Sequence, residues 1–167
     1  LCGWTGSGSK MWGRDWAEGA LFERSEYKSS YYGPLTSKAH DGAQFVFLHT
    51  LSGSKGQTSY LVSPALADVA AMQFWFHMHG KDMGALAVEA SNGDAWTTLW
   101  SKAGQQQAKA SDPWRLSGRV PLPIGTTRVR FAGVRGGGFA SAMAVDTVTF
   151  TASPTKGWTY MPGKHCY

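Results

Sequence analysis

His77 and His79 stand two residues apart in the run Phe74-Trp75-Phe76-His77-Met78-His79. On an extended strand that spacing puts both imidazoles on one face, an arrangement able to seat a transition metal. No third ligand is apparent, so packing is the simpler reading; His40, His49 and His165 are scattered and form no pattern. Asp146 shares a strand parity with Val148 and Phe150, which places its carboxylate toward the core side. A carboxylate there needs a hydrogen-bonding partner or a cation. Trp12, Trp114 and Trp158 lie in loop-like surroundings, where flat rings can stack on the apolar face of a sugar. Sealing the ends of the fold is the competing role for these rings. Cys2 and Cys166, near opposite ends, could close one very long loop with a chain-entropy gain of roughly 5 kcal/mol. They could equally remain free thiols or bond to other chains.

Signs of catalysis are few. The chain has no Gly-x-Ser-x-Gly elbow and no His-Glu-x-x-His helix, and a non-enzymatic role is expected. The formal charge of +5 comes from Lys and Arg scattered singly, without a dense basic block. That pattern suits a solvated surface better than a nucleic-acid footprint, though it leaves an unspecific attraction to anionic glycans. No stretch approaches the ~18 consecutive apolar residues of a membrane span, so direct membrane insertion is not expected. The chain begins at Leu1 and lacks a basic-then-apolar leader, which reads as a mature form or an excised module.

The elements that must carry these residues are short strands. At 167 residues with 43% apolar content, the chain suits one folded domain. Its 21 glycines and eight tryptophans suit tight turns around a thin core filled by large rings. Alternation and short apolar runs predict strands at Phe45–Thr50, Thr58–Ser63, Ala70–His79, Gly84–Ala90, Trp96–Trp100, Arg115–Leu122, Thr127–Val134 and Met143–Phe150. The opening segment from Gly3 to Pro34 reads as a first strand followed by long loops. Strands without intervening helices predict an all-β sandwich or barrel. Alternation assigns Val129, Phe131, Leu86 and Val88 to the interior, with Arg128, Arg130 and Glu89 outside.

Several stretches resemble, in order, the signatures of the MAM domain family (meprin, A5 antigen, receptor tyrosine phosphatase mu). Leu1-Cys2-Gly3-Trp4 is similar to its Cys-Gly-Trp opening, and Leu61-Val62-Ser63-Pro64 to its Leu-x-Ser-Pro step. Phe74 to Gly84 resembles Phe-Trp-Tyr-His-Met-x-Gly, and Leu99-Trp100-Ser101-Lys102-Ala103-Gly104 resembles Leu-Trp-x-x-x-Gly. Phe131-Ala132-Gly133-Val134-Arg135-Gly136 and Ala144-Val145-Asp146 resemble the closing Phe-x-Gly-x-Arg-Gly and Ala-Leu-Asp-Asp motifs. The resemblance implies a jelly-roll antiparallel β-sandwich over residues 1–150, with residues 151–167 as an extended tail closing onto the first strand. It implies an extracellular, secreted or cell-surface module that is non-catalytic and mediates recognition or adhesion, with other proteins or identical chains as partners. A carbohydrate-binding module that uses exposed tryptophans is the alternative.

The resemblance also implies site residues. Asp146, with Asp41 of the His40-Asp41 pair, falls where the family can hold a structural calcium ion. The second closing Asp of the family is Thr147 here. The family cysteine ahead of the Phe-Trp motif falls on Ala71, and the closing cysteine is absent, so neither usual disulfide can form. Cys2 is therefore expected to pair with Cys166. The sole asparagine, Asn92, is followed by Gly93-Asp94, so the chain has no N-glycosylation sequon.

Overall fold

A computed structural model of the chain describes residues 3–8, 17–18, 39–42, 45–49, 54–93, 95–138 and 140–154. Among these, the elements are β1 (Thr5–Gly8), β2 (Ala17–Glu18), β3 (Val46–His49), β4 (Thr58–Val62), β5 (Val69–His79) and β6 (Ala85–Ser91). They continue with β7 (Trp96–Ala103), β8 (Arg115–Leu116), β9 (Val120–Pro121), β10 (Arg128–Val134) and β11 (Ala142–Ala152). The described residues contain no helix. One sheet runs β1-β4-β10-β6-β7 and the other β2-β3-β11-β5-β8, with β9 also paired to β5. All strand pairs are antiparallel. The architecture is the expected jelly-roll β-sandwich.

The layers are joined by alternate side chains. Phe74, Phe76 and Met78 of β5 and Met143 and Val145 of β11 face Leu61, Leu86, Val88, Val129 and Phe131 of the five-stranded sheet. Phe74 meets Trp100 and Phe131 edge-on, at ring-centroid distances of 5.0 Å and 4.9 Å. Each buried ring or aliphatic side chain contributes about 1.5–3 kcal/mol relative to an exposed one. This interior is the one the alternation assigns.

The expected Arg115–Leu122 strand is two short pieces, β8 and β9. Gly118 interrupts it at φ +75. Ser117 holds the gap closed: its N–H donates to the Phe74 carbonyl at 2.8 Å, and its Oγ accepts from the Phe74 N–H at 3.0 Å. After β5 the chain reverses at Gly80, whose φ of +134 favours glycine. Gly84 and Gly136 then pass so closely that a Cβ on Gly136 would strike the Asp82 carbonyl. Asp82 secures this crossing by accepting from the Ala140 N–H at 3.1 Å and donating its own N–H to the Ala140 carbonyl at 3.2 Å.

Candidate functional site

The sequence places Asp146 on the face of Val148 and Phe150; the structure corrects this. Pairing of β11 with β5 shifts register between Asp146 and Thr149, which marks a bulge. Thr147 sits inside it at φ +48, a left-handed conformation that costs roughly 1–3 kcal/mol for a non-glycine residue. One inserted residue reverses the parity that follows. Met143 and Val145 before the bulge, and Val148 and Phe150 after it, all pack on the interior cluster. Asp146 stays with Ala144 on the outer side of the sheet, where Ala144 packs with Phe45 and Phe47.

There the carboxylate is buried and enclosed by donors. Its Oδ2 accepts from the His40 N–H at 2.7 Å and the Asp41 N–H at 3.2 Å, and its Oδ1 accepts from the Thr147 N–H at 2.6 Å. His40 Nδ1 lies 2.9 Å from Thr147 Oγ1, and its ring stacks on Trp75 at 3.9 Å and 15°. The bulge and the 39–42 segment therefore hold one another through Asp146. Burial pushes the Asp146 carboxyl above its ordinary pKa, and the amides of Asp41, Thr147 and His40 and the charge of His40 oppose that shift. Calcium asks for six to eight oxygen ligands. Here Asp146 faces N–H groups, and Asp41 Oδ1 accepts from the Gly42 N–H at 3.0 Å. Among the described residues no group of three or more His, Cys, Asp and Glu side chains is placed to hold a metal. This donor set suits amide hydrogens better than a hard cation.

His77 and His79 do share a face, and both are buried. Gln107, from the 105–114 segment, lies along β5 beside them. Its side chain accepts from the Met78 N–H at 2.8 Å and donates to the Phe76 carbonyl at 3.2 Å, while its own carbonyl lies 3.1 Å from His79 Nδ1. The His77 ring has 0% exposure, and neither of its nitrogens has a hydrogen-bond partner among the described residues. Burial pulls its pKa down to about 4; the Asp112 backbone opposes this, His79 adds to it, and the Asp112 charge works against it. The Asp112 backbone thus favours the charged ring without reaching hydrogen-bond geometry. The ring packs edge-on against Trp114 at 5.8 Å and His79 at 6.5 Å.

Trp114 is thereby placed: it is half-buried and meets both His77 and Phe45, the latter at 5.5 Å. It packs on the outer side of the β5 sheet. Trp12, Trp158, Cys2 and Cys166 lie outside the described residues. Sequence reasoning missed the bulge at Thr147, the clamp made by Gln107, and a cluster of Tyr60, Arg130, Glu89 and Trp96 on the outer face of the five-stranded sheet. Only the last had a signal, in the outward parity of Arg130 and Glu89.

Comparisons with known proteins agree with this architecture. The family model described as "MAM domain, meprin/A5/mu" matches residues 1–156. MAM domain-containing glycosylphosphatidylinositol anchor protein 1 of Homo sapiens is 31% identical over 159 residues, covering 89% of this chain and 16% of that protein. Neuropilin-1 of Rattus norvegicus is 30% identical over 129 residues, covering 72% of this chain and 13% of that protein. The chain therefore spans about a sixth or less of the curated relatives it matches. Among solved structures, the K1 cleaved adhesin domain of Lys-gingipain from Porphyromonas gingivalis W83 superposes with a TM-score of 0.65 at 20% identity, covering 92% of each chain. TmCBM61 in complex with β-1,4-galactotriose gives 0.52 at 16% identity, covering 90% of this chain and 88% of that one. At these identities the structural likeness concerns the fold alone.

Proposed function

The chain belongs to the MAM domain family, and from that premise we propose that it is a non-catalytic recognition or adhesion module working outside the cell. Its partners are other proteins or identical chains, and it forms part of a larger protein or assembly. The observation that carries this reading is the use of its polar side chains. Asp82, Gln107 and Asp146 each bind backbone groups of the sandwich itself, so these polar side chains support the shell, and the Thr147 hydroxyl beside His40 Nδ1 sits in the bulge that Asp146 braces. The name of one relative, a glycosylphosphatidylinositol anchor protein, supports a cell-surface setting. Sedimentation of the purified module, together with aggregation of beads coated with it, tests the reading. Self-association or capture by a partner-bearing surface supports it; a turnover activity that survives denaturation controls would sink it.

Glycan binding is a second reading, supported by the fold shared with TmCBM61. A glycan array separates it from protein recognition. Calcium at Asp146 and Asp41 is a proposal that rests on family resemblance alone. Titrating calcium into chelator-treated protein, with neither heat nor a melting shift, would dispose of it. We also propose that the 151–167 tail closes onto the first strand through a Cys2–Cys166 disulfide. Non-reducing mass mapping that finds both thiols free in secreted material rules that out.

A further inference from the structure

Arg130 lies on the outer face of the five-stranded sheet, opposite Val62 on β4 and Glu89 on β6. Its Nε donates to Glu89 Oε2 at 2.6 Å, and each of the two side chains is 18% exposed. Its Cζ is 3.8 Å from the centroid of the Tyr60 ring and 4.1 Å from that of the Trp96 ring. Two rings that near one carbon cannot share one side of a planar group, so they cover its two faces. The guanidinium is thus fixed in plane by two walls and a carboxylate. Among the described residues Glu89 alone accepts from it, through Nε, which leaves the N–H groups of Nη1 and Nη2 free. No Arg130 nitrogen is both buried and unpartnered, so that free edge reaches solvent.

A guanidinium open only at its edge selects for a planar oxyanion approaching in the same plane, since two parallel N–H···O bonds form there. Fixing it beforehand removes most of the ordering cost of binding. The surface beside it is shallow. Register puts Tyr60, Ala132, Ala87 and Ser101 in one row across β4, β10, β6 and β7, a strip of small side chains walled by an aromatic ring. Hot spots of protein interfaces are enriched in Trp, Tyr and Arg set in well-packed pockets. Here the Tyr60 and Trp96 rings are both taken up by the guanidinium, and the row beyond Tyr60 holds only Ala132, Ala87 and Ser101. The exposed large apolar side chains among the described residues, Leu116 and Ile124, belong to β8 of the opposite sheet and to the turn before β10. A flat chain of sugar rings fits the strip better. The net charge of +5 favours an anionic one.

We propose that the outer face of the five-stranded sheet binds a uronate-bearing glycan, with Arg130 taking the sugar carboxylate in its Nη1/Nη2 fork and Tyr60 and Trp96 holding that fork in place. The inference rests on the glycan-binding reading above and moves the site from the loop tryptophans to the sheet. Glu89 keeps the affinity modest, because its charge opposes the incoming carboxylate.

Calorimetry on the whole chain tests it, with an oligogalacturonate, a neutral galactan oligosaccharide of equal length, and a poly-glutamate peptide as probes. Oligogalacturonate binds, and Arg130→Lys weakens it at least tenfold, because an ammonium keeps the charge and loses the fork. Glu89→Gln strengthens it severalfold; a purely structural ion pair would give no gain in binding. Trp96→Ala, checked for an unchanged melting profile, weakens it as well and covers the case in which Arg130→Lys fails to fold. Uronate binding that is indifferent to Arg130→Lys and Glu89→Gln, or poly-glutamate binding more tightly than the uronate, overturns the proposal. Binding of the neutral glycan alone overturns it while leaving glycan recognition standing. If neither sugar binds, both readings fall.

Discussion

The side chain of Gln107 lies along β5 at Met78 and completes the ladder that β8 leaves unfinished. Oε1 accepts from the Met78 N–H at 2.8 Å, and Nε2 donates to the Phe76 carbonyl at 3.2 Å and the Pro113 carbonyl at 3.4 Å. The backbone adds bonds from the Gln106 and Gln107 N–H groups to the Met78 carbonyl at 2.8 Å and 3.2 Å. A side-chain amide and two main-chain groups therefore stand where a neighbouring strand would otherwise pair.

Gln107→Leu keeps the volume and strips these side-chain bonds, leaving the Met78 N–H orphaned in the interior. We expect a loss of about 2–4 kcal/mol in urea unfolding, with faster amide exchange at Met78 than at Phe74. Exchange at Met78 that stays as slow as in the parent chain would count against the clamp.

His77 predicts an acid sensitivity of definite sign. Its pKa is near 6.5 when unfolded and about 4 in the fold, so the unfolded chain binds more protons between these values. Stability is fully present above pH ~6.5 and falls as the pH drops toward ~4, by about 3 kcal/mol at the limit. Asp112 and His79 are the charged or titratable groups acting on the ring. Asp146, with its pKa raised, titrates in the opposite sense, so His77→Phe isolates the imidazole. That variant should match or exceed the parent at pH 7 and show a flatter stability profile across the window, read by chemical denaturation at several pH values.

Asp146→Ala removes the acceptor for three amides and frees the Thr147 bulge. The expected cost is about 3 kcal/mol, with Asp146→Asn intermediate because one amide oxygen remains. Paired denaturation curves check this. A near-silent Asp146→Ala would mean that the 39–42 segment is held by the His40–Trp75 stack and the His40–Thr147 contact without it.

Gly136→Ala forces a Cβ against the Asp82 carbonyl and the Met83 and Gly84 backbone. Backbone cannot yield as a side chain does, so a loss above ~3 kcal/mol is expected. Gly137→Ala, whose Cβ would meet nothing within 4 Å, is the control and should fall within ~1 kcal/mol of the parent in thermal unfolding.

Much of this was legible in the residues themselves. The period-2 alternation of Leu86 and Val88, and of Val129 and Phe131, identifies the inner face, because a pleated strand sends alternate side chains to opposite sides. The order of the Phe-Trp, Leu-Trp and Phe-x-Gly-x-Arg-Gly motifs was enough to identify the family. The side on which Asp146 lies depended on tertiary structure, since an inserted residue at Thr147 reverses parity without any pattern in the sequence to mark it. The same holds for Gln107, an ordinary polar residue until its segment folds over β5. The Tyr60–Arg130–Trp96 stack joins residues from β4, β10 and β7, which meet only once the register of three strand pairs is set. Local patterns record which face a side chain takes; which side chains become neighbours is decided by long-range pairing.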